Sequence, residues 1–252
     1  MNKMIIGMVH LKALPTAPNN KYSVKEIINF ALEDLRELEK GGVEYAIIEN
    51  FFDTPYSNNP DLETIVAMAY IIGYIKDKTA IKLGVNIHAT SGPEEMILAS
   101  ICDLDFIRSE TFVDIRVNQS GIMNSMCSQL TRKKKQLNSK VKIFADVNVK
   151  ESLPFIYKDI EISVNDAINS GTDAIILTGL ETGKSPSVDD VKKVKELCGS
   201  VPLLIGSGVN KKNISDYLEY AQGVIVGSSL KKDGLLDNNV DSKKVKELIN
   251  SI

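Results

Sequence analysis

The sequence predicts an α/β protein, a single (β/α)8 TIM barrel over residues 1–252. Three observations carry that expectation. Eight short apolar runs rich in Ile and Val recur along the chain and alternate with amphipathic segments, the pattern of a parallel sheet covered by helices. Eight such units fill 252 residues, the size of a closed barrel. No Gly-x-Gly-x-x-Gly motif follows the first run, which argues against a dinucleotide-binding sheet. No linker or low-complexity segment divides the chain, so one domain is expected.

The candidate strands come in order as "MIIGMVHL" from Met4, "YAIIEN" from Tyr45, "IKLGVNI" from Ile81 and "DFIRSE" from Asp105. "VKIFADVN" from Val141, "DAIILTG" from Asp173, "PLLIGSGV" from Pro202 and "GVIVGSS" from Gly223 complete the set. Gly, Asn, Asp or Pro bound them, as suits buried parallel strands. The clearest helix is "SVKEIINFALEDLRELEKGG": Ser23 caps it, Glu26 stands three residues on, and Gly41-Gly42 stops it. Further helices are expected from Asp61, Pro93, Ser163, Ser187, Asn213 and Asp241. Residues 111–121, "TFVDIRVNQSG", break the alternation and read as an irregular excursion over the barrel mouth.

Composition narrows the function classes. Net charge is −3 and pI about 5.6, so no nucleic-acid or membrane-surface partner is expected. The basic run Arg132–Lys135 reads as a solvated helix end. Three cysteines, odd in number and without metal-ligand spacing, fit reduced thiols. The chain opens on a strand-like run rather than a signal peptide, and the apolar stretch at residues 65–75 is too short to span a bilayer. A cytoplasmic protein with no membrane insertion is expected, and the 65–75 helix offers a face for a homo-oligomer.

In such a barrel the active site lies at the carboxyl ends of the strands, with phosphate after strands seven and eight. Gly206, Ser207 and Gly208 follow the seventh run, and Gly227, Ser228 and Ser229 follow the eighth. Glycine lets backbone N–H groups approach an anion, serine adds hydroxyl donors, and a short helix near Ser229 would aim its positive end there. These six are the expected phosphate-binding residues. Asp146, Asn148 and Lys150 alternate along the fifth run, so period two puts them on one face. Asp146 is the expected base or electrostatic group, Lys150 its cationic partner, and Glu49 or His10 the second proton-transfer group. Asn50, Asn86, His88, Arg108, Glu110, Asn148 and Thr178 at the other strand ends are expected to contact substrate. No cofactor is expected. A divalent metal could draw on His10, His88, Glu49 or Asp146, though no HxH or HExxH signature supports one.

With these residues laid out, the chain resembles the BtpA/SgcQ family over nearly its whole length. The likeness rests on "IIGMVHLKALP" from Ile5, "GGVEYAIIENFFDTPY" from Gly41 and "FADVNVK" from Phe144. "AIILTGLETGKSP" from Ala174, "LLIGSGVNKKN" from Leu203 and "IVGSSLKKDG" from Ile225 add to it. The resemblance implies a barrel similar to the ribulose-phosphate-binding group; some members are linked with photosystem I accumulation, and others are suggested nucleosidases. This chain departs from the family pattern at Ile87-His88-Ala89-Thr90-Ser91, at Arg108-Ser109-Glu110-Thr111, and at Asn148 and Glu151, where histidines are expected. The expectation is a barrel enzyme acting by acid–base chemistry on a small phosphorylated, sugar-derived metabolite. Nucleosidase-like glycosidic hydrolysis and a non-catalytic assembly role are the alternatives.

Overall fold

Eight parallel strands close on themselves in the computed structural model, which describes residues 3–88, 92–149, 152–179 and 185–252. They are β1 (Met4–His10), β2 (Tyr45–Glu49), β3 (Lys82–Asn86), β4 (Phe106–Ser109), β7 (Lys142–Val147), β9 (Ala174–Leu177), β10 (Leu203–Ile205) and β11 (Gly223–Val226). Each falls inside one predicted run, and the barrel order follows chain order, with β11 closing on β1. Eight helices alternate with them: α1 (Val24–Gly41), α2 (Leu62–Lys76), α3 (Pro93–Ile101), α4 (Cys127–Gln136), α5 (Ile160–Asn169), α6 (Val188–Cys198), α7 (Ile214–Tyr220) and α8 (Ser242–Ile249).

Local chemistry explains the ends. Ser23 and Ser187 build capping boxes with Glu26 and Asp190, and Gly42 takes a left-handed conformation (φ 95°) at the end of α1. Helix α5 begins at Ile160 rather than at Ser163, with Asp159 in the cap position. The helix expected near Ser229 is one 3₁₀ turn, Ser228–Leu230.

Residues 111–121 are irregular only in part. They contribute β5 (Arg116–Asn118) and the first residue of β6 (Gly121–Met123), which pair antiparallel. The third strand of this outer sheet is β8 (Leu153–Pro154), beyond the end of β7. Arg116 ties the two insertions together: its Nε donates to Ser152 Oγ and its Nη2 to the carbonyls of Val149 and Ser152.

Strand periodicity divides the core in two. Ile6, Met8, Ile47, Phe106, Phe144, Ile176, Leu204 and Ile225 point inward and fill the barrel. Their neighbours Val9, Ile48, Val85, Ile107, Val147 and Leu177 pack outward against the helices. Helix α2 is apolar on both faces: Met68, Ile71, Ile72 and Ile75 are buried, while Leu62, Val66, Tyr70 and Tyr74 are exposed at four-residue spacing. Among the described residues, no helix is long and apolar enough to cross a membrane.

Candidate functional site

Two residues beyond the inward-facing core, every barrel strand presents one residue at its carboxyl end. His10 follows Met8, Glu49 follows Ile47, Asn86 follows Gly84 and Arg108 follows Phe106. Asp146, Thr178, Gly206 and Gly227 follow Phe144, Ile176, Leu204 and Ile225. Period two therefore assembles these eight as a ring above the core. Cross-strand register sets His10 beside Glu49 and Glu49 beside Asn86.

Gly206 and Gly227 are the two ring positions without a side chain, and the void lies against them. A cavity of about 210 Å³ is lined by Gly206–Asn210, Gly227–Ser229, His10, Glu49, Phe51 and Arg108, with Met8 and Ile225 also contributing. A Cβ on Gly206 would sit 2.5 Å from Thr178 Cγ2 and 2.6 Å from Ile176 Cγ2, so only glycine fits. Gly227 is looser: a Cβ there would lie 3.3 Å from His10 Cε1. Gly208 holds φ 69°, a left-handed turn that glycine adopts without strain. The two glycine turns are joined: Ser229 Oγ donates to Val209 O at 2.8 Å, while Ser207 Oγ accepts from Gly179 N–H at 2.9 Å.

The charged half of the ring is tightly paired. Arg108 Nε donates to Asp146 Oδ2 at 2.8 Å and Nη2 to Asp146 Oδ1 at 3.0 Å, with both side chains almost wholly buried. Burial disfavours the guanidinium charge, but Asp146 outweighs it and raises the Arg108 pKa further. Beyond the end of the neighbouring strand β3, His88 sits between two carboxylates. Its Nε2 lies 2.9 Å from Glu49 Oε1 and its Nδ1 lies 3.0 Å from Glu110 Oε2. Burial opposes protonation of this ring; Glu110 and then Glu49 overcome it and push the pKa up to about 10. His88 is thus an imidazolium at neutral pH. The other oxygen of Glu49 faces His10 Nε2 at 3.5 Å. Aromatic rings back both histidines, Phe51 against His10 and Tyr56 stacked on His88 at 4.4 Å. Among the described residues, Glu49, His88 and Glu110 are the group whose donor atoms lie close enough to hold a metal ion.

Asn50 Oδ1 accepts the His88 backbone N–H, and Asn86 Nδ2 donates to Arg108 O, so both brace the ring. Asn148 does not continue the face of Asp146. Strand β7 ends at Val147, and Asn148 turns left-handed (φ 58°) to line a separate outer groove. Thr178 Oγ1 donates to the Asn148 carbonyl. Lys150, Ala89–Ser91 and Glu151 lie outside the described residues; the cation placed beside Asp146 among the described ones is Arg108. Sequence reasoning missed the aromatic backing of Phe51 and Tyr56, although the run "ENFFDTPY" after β2 held both.

Comparison with known proteins places this geometry in context. The BtpA family model matches residues 1–252. An uncharacterized protein of Methanocaldococcus jannaschii is 37% identical over 249 residues, covering 98% of this chain and 94% of that protein. The photosystem I biogenesis protein BtpA of Synechocystis sp. is 31% identical, covering 98% and 87%. Among solved structures, the N-(5'-phosphoribosyl)anthranilate isomerase of Pyrococcus furiosus superposes with a TM-score of 0.57 at 15% identity, covering 98% of each chain. That likeness is one of fold.

Proposed function

The chain belongs to the BtpA family, and from that premise we propose that it is an enzyme performing acid–base chemistry on a small phosphorylated, sugar-derived metabolite. One observation carries the reading: both glycine turns and the pair Glu49–His10 line a single cavity. Backbone N–H groups of the two turns receive the phosphate, beside the Arg108 guanidinium. Arg108 Nη2 comes within 3.6 Å of the position a Gly206 Cβ would occupy, at the same end of the cavity. The fold's likeness to a phosphoribosyl-substrate isomerase supports the substrate class by analogy. At about 210 Å³ the cavity suits a metabolite rather than a polymer.

Proton transfer falls to Glu49 and His10. Glu49, 2.9 Å from His88 Nε2, is the group placed to take a proton from the substrate. His10, 3.5 Å from Glu49, is the second group in the exchange. Asp146, an expected base, has both oxygens engaged by Arg108 and serves here to hold the guanidinium in place.

A thermal-shift panel tests this. Inorganic phosphate and sugar phosphates are compared with unphosphorylated sugars and nucleosides, using Gly227→Asp as control. A ligand at about a hundred times its Kd adds roughly 2.7 kcal/mol, a shift of several degrees. Stabilisation by phosphorylated compounds alone, abolished in the control, supports the reading; binding of bare nucleosides favours glycosidic hydrolysis instead. A non-catalytic assembly role draws support from the name of the Synechocystis relative. Under that role Glu49→Gln leaves partner binding intact, whereas the enzyme loses turnover.

A further inference from the structure

The outer three-stranded sheet carries its apolar face on the wrong side for a monomer. Directly paired residues of an antiparallel ladder share a face, and alternate residues along a strand oppose one another. Val117 pairs with Ile122 on one side and Leu153 on the other. The bond from Phe155 N–H to Ile115 O extends that register by one residue. Ile115, Val117, Ile122, Leu153 and Phe155 therefore form one face, every member apolar. The opposite row holds Arg116 and Met123, 3% and 2% exposed and turned toward the body of the protein, with Asn118 and the exposed Gly121 and Pro154 at its edges. An antiparallel sheet with one solvated face ordinarily turns its polar residues outward. Here the outward face is greasy: Leu153 is 74% exposed, Phe155 54% and Ile122 52%, with Ile156 and Tyr157 beyond them at 70% and 87%.

We propose that this face is the interface of a two-fold symmetric homodimer. The exposed fractions of Ile115, Ile122, Leu153, Phe155, Ile156 and Tyr157 amount to roughly 800 Å² of surface, the area one partner contributes to a standard stable interface. The largest apolar patch on a typical monomer is about 300–600 Å². The chemistry selects a second copy rather than a differently charged partner. Among the described residues, no charged side chain lies on the sheet face itself, and at its border Lys158 is neutralised by Asp114 at 2.9 Å and Asp166 at 2.7 Å. An outer groove of about 610 Å³ opens at this end of the sheet, lined by the apolar Ile115, Pro154, Ile156, Tyr157 and Ile160 and by the charged Asp114, Arg116, Lys158, Asp159 and Lys193. A two-fold axis sets the exposed Phe155 ring of each copy against the groove of the other, the exchange an isologous interface requires. Helix α2, expected from sequence to supply the oligomer face, offers only the single stripe Leu62, Val66, Tyr70 and Tyr74.

Sedimentation velocity on the full chain tests the assignment, with Leu153→Asp, Tyr157→Asp and, in α2, Tyr70→Asp as variants. The expected result is a wild-type species of twice 27.7 kDa. Each sheet variant should weaken the dimer about 100-fold, because a charge is forced into a desolvated apolar contact. Their circular dichroism should stay unchanged, and Tyr70→Asp should still dimerise. A wild-type monomer at about 100 µM, far above the Kd of typical interfaces this size, overturns the proposal. So does a dimer that only Tyr70→Asp disrupts, or one that survives both sheet variants. A monomer that instead cosediments with anionic phospholipid vesicles assigns the face to a lipid surface and equally overturns it.

Discussion

Arg108 and Asp146, on adjacent strands of the barrel, meet through two parallel hydrogen bonds of 2.8 and 3.0 Å, with no more than 2% of either side chain exposed. Such a fork-to-fork pair fixes the guanidinium plane as well as its charge. The plane lies at the end of the cavity where Gly206 leaves room for a ligand. A buried pair contributes little net stability but is costly to break, because the survivor keeps an uncompensated charge.

Asp146→Asn therefore does two things. It leaves the Arg108 charge unbalanced, costing about 3–5 kcal/mol in urea-melt stability, and it loosens the grip on a phosphorylated ligand. Replacing the aspartate with glutamate restores the charge but not the geometry, so stability should recover further than ligand affinity.

The His88 triad makes stability depend on pH. Burial pulls the imidazole pKa down, but Glu110 and Glu49 outweigh it and raise the value from 6.5 to about 10. A group with a raised folded pKa stabilises fully below its unfolded pKa and loses that stabilisation as pH rises through its folded one. Stability should thus decline between about pH 6.5 and 10. Glu110→Gln removes the largest attraction acting on the imidazolium, so its denaturation midpoint should vary less across that window. A Glu110→Gln curve as steep as wild type would refute the assignment.

The two ring glycines differ in what they tolerate. Gly206→Ala drives a methyl to within 2.5 Å of Thr178 and should cost about 1–3 kcal/mol of stability. Gly227→Ala meets only the edge of His10 at 3.3 Å and should fold nearly as well. Its effect should appear as weaker binding of inorganic phosphate by calorimetry, the melting temperature staying within a few degrees of wild type.

Lys231 and Asp34 form a second buried pair, Nζ to Oδ2 at 2.5 Å, and Asp34 Oδ1 also accepts the Val240 N–H at 2.7 Å. Asp34→Ala strands the lysine and frees the segment that follows the Ser228–Ser229 turn. A loss of about 3–5 kcal/mol is expected, with faster amide exchange at Val240 as the local signature.

The barrel was legible because strand and helix periods are local properties of the chain. "MIIGMVH" and "YAIIE" declare themselves within a few residues, and so does the capping box of Ser23 and Glu26. The ring at the strand ends was legible for the same reason, since period two decides which residues face inward. What escaped was pairing across distance. Arg108 and Asp146 are 38 residues apart, and no local pattern announces that the two meet. The outer sheet was hidden likewise, because Val117 finds Leu153 only after a helix and two strands have intervened. Asn148 misled because alternation was carried one residue too far, past a left-handed turn.

The Lys231–Asp34 contact also spans time. Asp34 belongs to the first helix, and the cation that neutralises it lies 197 residues later. At a synthesis rate of about 5–20 residues per second, the carboxylate waits roughly 10–40 s for its counterion. A nascent chain released before that point holds an acid in what will become a dry seam, and the closing edge between β1 and β11 is missing as well. Premature termination should therefore yield no stable partial barrel, only material for the cell's proteases.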